Sequence, residues 1–142
     1  MEARLSLEAD ASALRQVDEF VTAFVKDRGL APDEAPRILI LLEELLTNLV
    51  KYGYPDRSLP GRVEVILGLS GSRLSIEFID DGRAFNPIAE RVSNLEAPAE
   101  TRPIGGLGLH IMRSLTEDAH YERRDNLNVV RMSRLVARAK SS

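Results

Sequence analysis

The sequence predicts an α+β domain, a two-layer α/β sandwich in which helices cover one face of a mixed, mostly antiparallel sheet. Three observations support this prediction. A short alternating strand opens the chain, two amphipathic helical segments follow, and two strand–turn–strand segments come later, separated by a long loop and a third helix. Because hairpins pair strands antiparallel, a purely parallel, doubly wound sheet does not fit, whereas helices on a mixed sheet do.

The composition indicates a single globular domain over residues 1–142. A chain of 142 residues has the length of one domain, and 44% apolar and 29% charged residues are ordinary values for such a domain. The absence of cysteine excludes disulfide scaffolds, thiolate metal sites and cysteine nucleophiles. The net charge of −3 argues against a nucleic-acid binder.

The sequence gives no sign of a membrane span or a signal peptide. No apolar run approaches the roughly 20 residues that cross a bilayer. The N-terminal residues Met1–Arg4 lack the charged-then-apolar layout of a signal peptide. We therefore expect a cytoplasmic protein that binds neither a membrane nor nucleic acid directly.

The sequence up to Gly29 predicts a strand followed by a helix. Apolar and polar residues alternate in Arg4–Glu8, which predicts a short strand. Asp10 or Ser12 can cap the helix that follows, and Gly29 ends it. Apolar residues recur in this helix at helical spacing, namely Leu14, Val17, Val21, Phe24 and Val25.

A second helix is predicted from near Asp33 to about Tyr52. Pro36 is tolerated because it falls in the first turn, and Gly53 ends the helix. One stripe of this helix is apolar and is expected to be buried; it consists of Ile38, Leu41, Leu42, Leu45 and Leu49.

The second half contains two predicted hairpins around a segment without periodicity. Strands at 63–69 and 74–78 are joined by the turn 70–72, and strands at 120–124 and 127–135 by the turn 125–126. The segment from about 83 to 105 holds three prolines and scattered charge. A loop of that length in a compact domain is usually functional. A third helix is predicted at about 107–115.

Polar side chains line one face of the second helix. Glu44, Asn48 and Lys51 stand at i, i+4 and i+7, so they point within about 60° of one another and off the leucine stripe. A carboxylate can accept a proton, an amide oxygen suits Mg²⁺, and an ammonium suits phosphate. Taken alone, the same pattern is also that of an ordinary solvated helix face.

A second candidate feature follows the first predicted hairpin. Asp80, Asp81 and Gly82 come directly after an apolar strand. A carboxylate at a strand end can accept a hydrogen bond from an exocyclic amine such as that of adenine, and Gly82 would let a flat ring approach the backbone. The alternative is an ordinary Asp-Gly turn.

The third feature is a glycine cluster that opens the third helix, consisting of Gly105, Gly106, Leu107 and Gly108. Exposed N–H groups at a helix N-terminus attract phosphate, and glycines let the backbone reach it. The cluster matches neither a P-loop nor the dinucleotide-binding glycine pattern. By itself it could equally be a flexible helix start.

In combination these features resemble the GHKL superfamily of ATP-binding domains. The segment Glu44–Tyr52 is similar to its N box, Asp80–Gly82 to its first glycine box, and Gly106–Gly108 to its second. The resemblance covers about residues 4–135. It implies the histidine-kinase-like ATPase, or Bergerat, fold, with ATP held between the helices and a mobile lid at about 83–105.

Within that superfamily the chain resembles the anti-sigma-factor serine/threonine kinases of bacterial partner-switching systems. The runs Asp80–Pro87 and Gly105–Leu115 carry this likeness. The resemblance implies a kinase that phosphorylates a small STAS-domain anti-anti-sigma protein and otherwise holds a sigma factor or another regulator. It also implies a homodimer. An ATP-gated module that binds a regulator without transferring phosphate is the alternative, and a simple ATP hydrolase or an unrelated α+β domain is a third reading.

The resemblance also assigns roles to individual residues. Asn48 would bind Mg²⁺, Glu44 would be the general base toward the substrate hydroxyl, and Asp80 would meet the adenine amine with Gly82 beneath the ring. The remaining residues would contact the phosphates or flank the nucleotide; these are Lys51, Tyr52, Arg102, Gly105, Gly106, Leu107 and Gly108. No histidine precedes residue 36, so the resemblance does not extend to the phosphoacceptor helix of histidine kinases.

Overall fold

The computed structural model describes residues 2–53, 61–88 and 114–140. These residues form two α-helices and a five-stranded sheet. In chain order the elements are β1 (Glu2–Glu8), α1 (Ala13–Asp27), α2 (Glu34–Asn48), β2 (Arg62–Ser70), β3 (Arg73–Asp80), β4 (Glu117–Arg124) and β5 (Leu127–Leu135). A single π-helical turn, Leu49–Gly53, continues α2.

The strands lie in the order β1-β2-β3-β5-β4, and every pairing among these described strands is antiparallel. The predicted α+β architecture is thus confirmed, with a sheet more uniformly antiparallel than the mixed one that was expected. Both predicted hairpins form, as β2–β3 and β4–β5. β1 returns to pair with β2 after the two helices, so it lies at one edge of the sheet.

The core lies between the helices and one face of the sheet. Alternate residues of β2 and β3 point into it, including Val65, Ile76 and Phe78, each at most 2% exposed. The predicted stripe of α2 is buried as expected, with no member more than 5% exposed. Leu14 is the exception on α1, because it is 44% exposed and lies away from the sheet.

The helix ends differ from the sequence predictions in two places. Ser12 occupies the N-cap position of α1, but its side chain does not cap the helix. Its hydroxyl and its backbone N–H donate instead to Oδ1 of Asp10, at 2.6 and 2.9 Å, which lowers the pKa of Asp10. The second helix was predicted to run to about Tyr52. Its regular α-helical part ends at Asn48, and the π turn carries the chain onward.

A buried ion pair fixes the start of α2 against the sheet. Nη2 of Arg134 donates to Oε1 of Glu34 at 2.7 Å, and Nη1 donates to the carbonyl of Leu115 at 2.8 Å. The backbone N–H of Ala137 donates to the other oxygen of Glu34 at 3.0 Å. Glu34 is 2% exposed. The pair therefore joins α2, β5 and Leu115, two residues before β4, at one buried point.

The opposite face of the sheet carries ion pairs. Arg4 contacts Glu64 at 2.9 Å, and Arg131 contacts Glu77 at 3.0 Å and Glu122 at 3.3 Å. This face is the solvent side of the two-layer sandwich. Within the three described segments, no helix is long and apolar enough to span a membrane.

Candidate functional site

Asp80 lies at the end of β3 and points into the protein. The alternation that buries Leu74, Ile76 and Phe78 continues by one more step, which turns Asp80 to the same face. Its side chain is 7% exposed. The backbone N–H of Gly82 donates to its Oδ1 at 2.9 Å, so the strand ends in a tight Asx-type turn.

Asp81, the next residue, faces the other way. It is exposed, and its Oδ1 accepts a hydrogen bond from the backbone N–H of Arg62 at 2.9 Å. That contact fixes the turn to the beginning of β2. The two adjacent carboxylates therefore have different environments, and only Asp80 is presented to the interior.

The polar residues of α2 are graded in burial rather than uniformly solvated. Asn48 is 3% exposed, Glu44 is half-buried and Lys51 is exposed. Nδ2 of Asn48 donates to Oε1 of Glu44 at 3.4 Å. An isolated solvated face would leave all three in water. The burial of Asn48 departs from that pattern, whereas Lys51, in the π turn that follows α2, is exposed as the pattern predicts.

A cavity of about 20 Å³ brings Asn48 and Asp80 to one place between α2 and the sheet. Its volume suits a single water molecule. Most of its walls are apolar. The lining residues are Leu45, Asn48, Leu49, Phe78, Asp80, Phe85, Pro87, Asn128 and Val130.

Asn128 is a functional candidate that the sequence analysis missed. It lies directly opposite Asp80 in the register of β3 with β5, and it is 3% exposed. Its Nδ2 donates to Oδ1 of Asp80 at 2.9 Å and to the carbonyls of Gly82 and Arg83 at 3.4 and 2.8 Å. An asparagine two residues before Val130 and four before Met132, both inward-facing, was the available signal in the sequence.

Two side chains of β4 hold the other end of that amide. The hydroxyl of Tyr121 donates to Oδ1 of Asn128 at 2.5 Å, and Nη1 of Arg123 donates to it at 3.1 Å. Arg123 also donates to the carbonyl of Gly82 at 2.9 Å. The β4–β5 hairpin therefore supports the turn that follows Asp80.

Burial raises the pKa of Asp80 above its ordinary value of 3.8. The hydrogen bonds from Asn128 and Gly82 act in the opposite direction but do not overcome it, and the neighbouring Asp81 carboxylate adds to the increase. Both of these donors reach Oδ1. Within the described part of the chain, no donor reaches Oδ2.

Several predicted site residues lie outside the described residues, and so does most of the predicted lid at 83–105. These residues are Arg102, Gly105, Gly106, Leu107 and Gly108; the side chain of Tyr52 is likewise not described. Their roles stay predictions. Among the described residues, no group of three or more histidines, aspartates or glutamates could hold a metal ion. A metal at this site would thus take an amide oxygen such as that of Asn48 together with oxygens of its substrate.

Comparison with known proteins agrees with this geometry. The family model of the histidine kinase-like ATPase domain matches residues 7–134. Serine-protein kinases RsbW of Bacillus thuringiensis and Bacillus anthracis are 28% identical over 106 residues, which cover 72% of this chain. The match covers 65% of those relatives, slightly less than two thirds of their length.

Solved structures show the same fold. The RsbU and RsbW domains of a Mycobacterium tuberculosis protein match 99% of this chain and 35% of theirs, with a TM-score of 0.67 and 17% identity. The histidine kinase domain of a blue-light activated kinase from Erythrobacter litoralis matches 88% of this chain and 60% of its own, with a TM-score of 0.55 and 17% identity. Since the family model spans nearly the whole chain, the chain belongs to the histidine kinase-like ATPase domain family.

Proposed function

We propose that this chain is a serine/threonine-protein kinase that uses Mg-ATP to phosphorylate a STAS-domain anti-anti-sigma protein. The observation that carries the proposal is the cavity in which the buried carboxylate of Asp80 and the buried amide of Asn48 meet. Membership in an ATPase domain family and the likeness to RsbW serine-protein kinases support the same activity.

The adenine base would lie above the floor of this cavity. Oδ2 of Asp80 would accept a hydrogen bond from the exocyclic amine, and Gly82 lies beside it without a side chain to block a flat ring. Leu45, Leu49 and Val130 supply apolar contacts for the faces of the base. Such a site, mostly apolar with a few placed polar groups, is typical of nucleotide and other small-ligand pockets.

The phosphates would extend along the polar row of α2. Asn48 would be a ligand of Mg²⁺, which when bound neutralises phosphate charge during transfer. Lys51, exposed one turn further on, would contact the phosphates from the solvent side. Gly106 and Gly108 are proposed to donate their backbone N–H groups to the same phosphates.

Glu44 would act as the general base. It is half-buried, and Nδ2 of Asn48 donates to it, so its carboxylate is held beside the proposed phosphate path. In this role it takes the proton of the serine or threonine hydroxyl that attacks the terminal phosphate. A positioned base is worth about 10²–10⁴-fold in rate.

We further propose that the chain binds a sigma factor or another regulator when it is not bound to its STAS-domain partner, as the resemblance to partner-switching kinases implies. The proposed protein would work in the cytoplasm, where ATP is available, and would form a homodimer. Light scattering of the purified chain tests the dimer independently of any activity.

Transfer of labelled phosphate tests the proposed activity. The protein is incubated with γ-labelled ATP, Mg²⁺ and a STAS-domain protein encoded beside it, together with that partner carrying alanine at its candidate serine. We expect label on the unmodified partner alone. Nucleotide binding without label on any partner would support the alternative, an ATP-gated binding module. Absence of nucleotide binding would contradict both.

A further inference from the structure

Asn128 is the centre of a hydrogen-bond cluster that no predicted motif includes. The three groups near its Nδ2 are all acceptors: a carboxylate oxygen of Asp80 and two backbone carbonyls. The three groups near its Oδ1 are all donors: the hydroxyl of Tyr121, the guanidinium of Arg123 and, at 3.4 Å, the N–H of Phe85. The amide therefore has only one orientation that satisfies its neighbours.

This single orientation determines which atom of Asp80 a ligand can meet. Asn128 and the N–H of Gly82 both donate to Oδ1 at 2.9 Å. A partial rotation of the carboxylate would break both hydrogen bonds. A half-turn would only exchange its two equivalent oxygens. In either arrangement one oxygen is held by two donors, and the other oxygen of this cavity-lining residue is an acceptor only.

We propose that Asn128, held by Tyr121 and Arg123, is a positioning residue that sets the nucleobase specificity of this site. The ionised carboxylate of Asp80 has only acceptors, so it favours a purine with an exocyclic amine over one with a carbonyl at the same position. By holding one oxygen, Asn128 fixes the direction in which the other oxygen accepts. The inference rests on the proposed nucleotide-binding function and assigns the specificity to residues of the β4–β5 hairpin.

The same cluster predicts the effect of changing Asp80 itself. In Asp80→Asn the two donors, Nδ2 of Asn128 and the N–H of Gly82, remain. The new amide must turn its oxygen toward them, so its NH₂ group faces the cavity. A purine with a carbonyl at that position can then accept a hydrogen bond from this NH₂ group. The variant should therefore prefer the carbonyl-bearing purine over the amine-bearing one, but only while Asn128 is present to orient the new amide.

Calorimetric titration with ATP and with inosine triphosphate tests this proposal, because the two differ by amine against carbonyl at one ring position. We expect the wild-type protein to prefer ATP by about 10- to 100-fold, the range for a hydrogen bond to a charged group. Asn128→Leu is expected to reduce that preference to within a few-fold, and Asp80→Asn to favour inosine triphosphate. Tyr121→Phe is expected to reduce the preference by about 3-fold or more.

Arg131→Met is the matched control, since Arg131 lies on the same strand and forms its ion pairs on the opposite face of the sheet. It should leave the preference unchanged. If the wild-type protein binds neither nucleotide, the proposed function is overturned and this inference with it. If the wild type prefers ATP and a folded Asn128→Leu keeps the full preference, only this inference is overturned. Should Asn128→Leu fail to fold, an unchanged preference in Tyr121→Phe overturns it.

Discussion

At the scale of single residues, the burial of the Asp80 carboxylate lowers the stability of the folded protein at neutral pH. Its pKa is raised in the folded protein, chiefly by burial, so the folded state binds a proton more readily than the unfolded chain does. Stability therefore falls as pH rises from the ordinary value of 3.8 through the raised one, and it stays lowered above that window. The proposed binding role would account for a group that folding by itself does not favour.

Asp80→Asn should separate stability from binding. The variant keeps an oxygen for the donors at Gly82 and Asn128 but carries no buried charge, so we expect it to be at least as stable as wild type at neutral pH. Its advantage should shrink as pH falls through the window in which the wild-type carboxylate becomes protonated. Urea unfolding across the acidic to neutral range measures this, and ATP affinity should drop by about 10-fold or more. Lower stability at neutral pH would contradict the assigned cause of the shift.

Glu44→Gln should separate binding from transfer. The side chain keeps its size and an oxygen for Nδ2 of Asn48 but cannot take a proton. We expect ATP affinity within a few-fold of wild type and a phosphoryl-transfer rate lower by about 10²–10⁴-fold. Single-turnover transfer and nucleotide titration of the same preparation give both values. Equal loss of affinity and rate would remove Glu44 from the role of base.

At the scale of elements, the helix α2 has to be held at one angle on the sheet for Asn48 to meet Asp80. The ion pair of Glu34 with Arg134 does this at the far end of α2, where Arg134 is 11% and Glu34 3% exposed at their side chains. A buried pair adds little stability over an apolar pair, but removal of one partner leaves an unpaired charge. We therefore expect the ion pair to hold α2 in its position on the sheet more than to add stability over an apolar pair.

Arg134→Met tests that reading. Loss of one member of a buried pair costs about 3–5 kcal/mol. We expect the lower end here, since Arg37 lies 3.6 Å from Glu34 and can partly compensate. Denaturant unfolding measures the loss, and Arg4→Met at the exposed Arg4–Glu64 pair is the control, expected to cost under about 1 kcal/mol. Adding Glu34→Gln should restore part of the stability, and strict additivity of the two changes would contradict the coupling.

At the scale of the whole molecule, ligand binding should stabilise the fold, because the site is formed by α2 and two strands of the sheet, β3 and β5, and so requires the folded state. At ATP concentrations near 100 times the dissociation constant, binding adds about 2.7 kcal/mol to the free energy of unfolding. For a chain of this length that raises the melting temperature by several degrees, at about 2–8 °C per kcal/mol. Thermal unfolding with Mg-ATP measures it. A rise of equal size in Asp80→Asn would show that the stabilisation arises elsewhere.

Local patterns determined much of this protein. Periodicity predicted α1, α2, the two hairpins and the α+β class, and the third predicted helix, at about 107–115, lies mostly outside the described residues. The segments that resemble the N box and the first glycine box indicate Glu44, Asn48 and Asp80 as candidate site residues. Such features depend on residues that are close to one another in sequence, so the sequence alone is enough to predict them.

Only the tertiary structure decided how far each polar residue is buried and which residues support the site. Asn128 carries no local motif, and its role exists because the register of β3 with β5 places it opposite Asp80, 48 residues away in sequence. The same holds for Arg134 and Glu34, which are 100 residues apart. Burial and hydrogen-bond partnership are properties of packing between distant segments, and no short-range pattern encodes them.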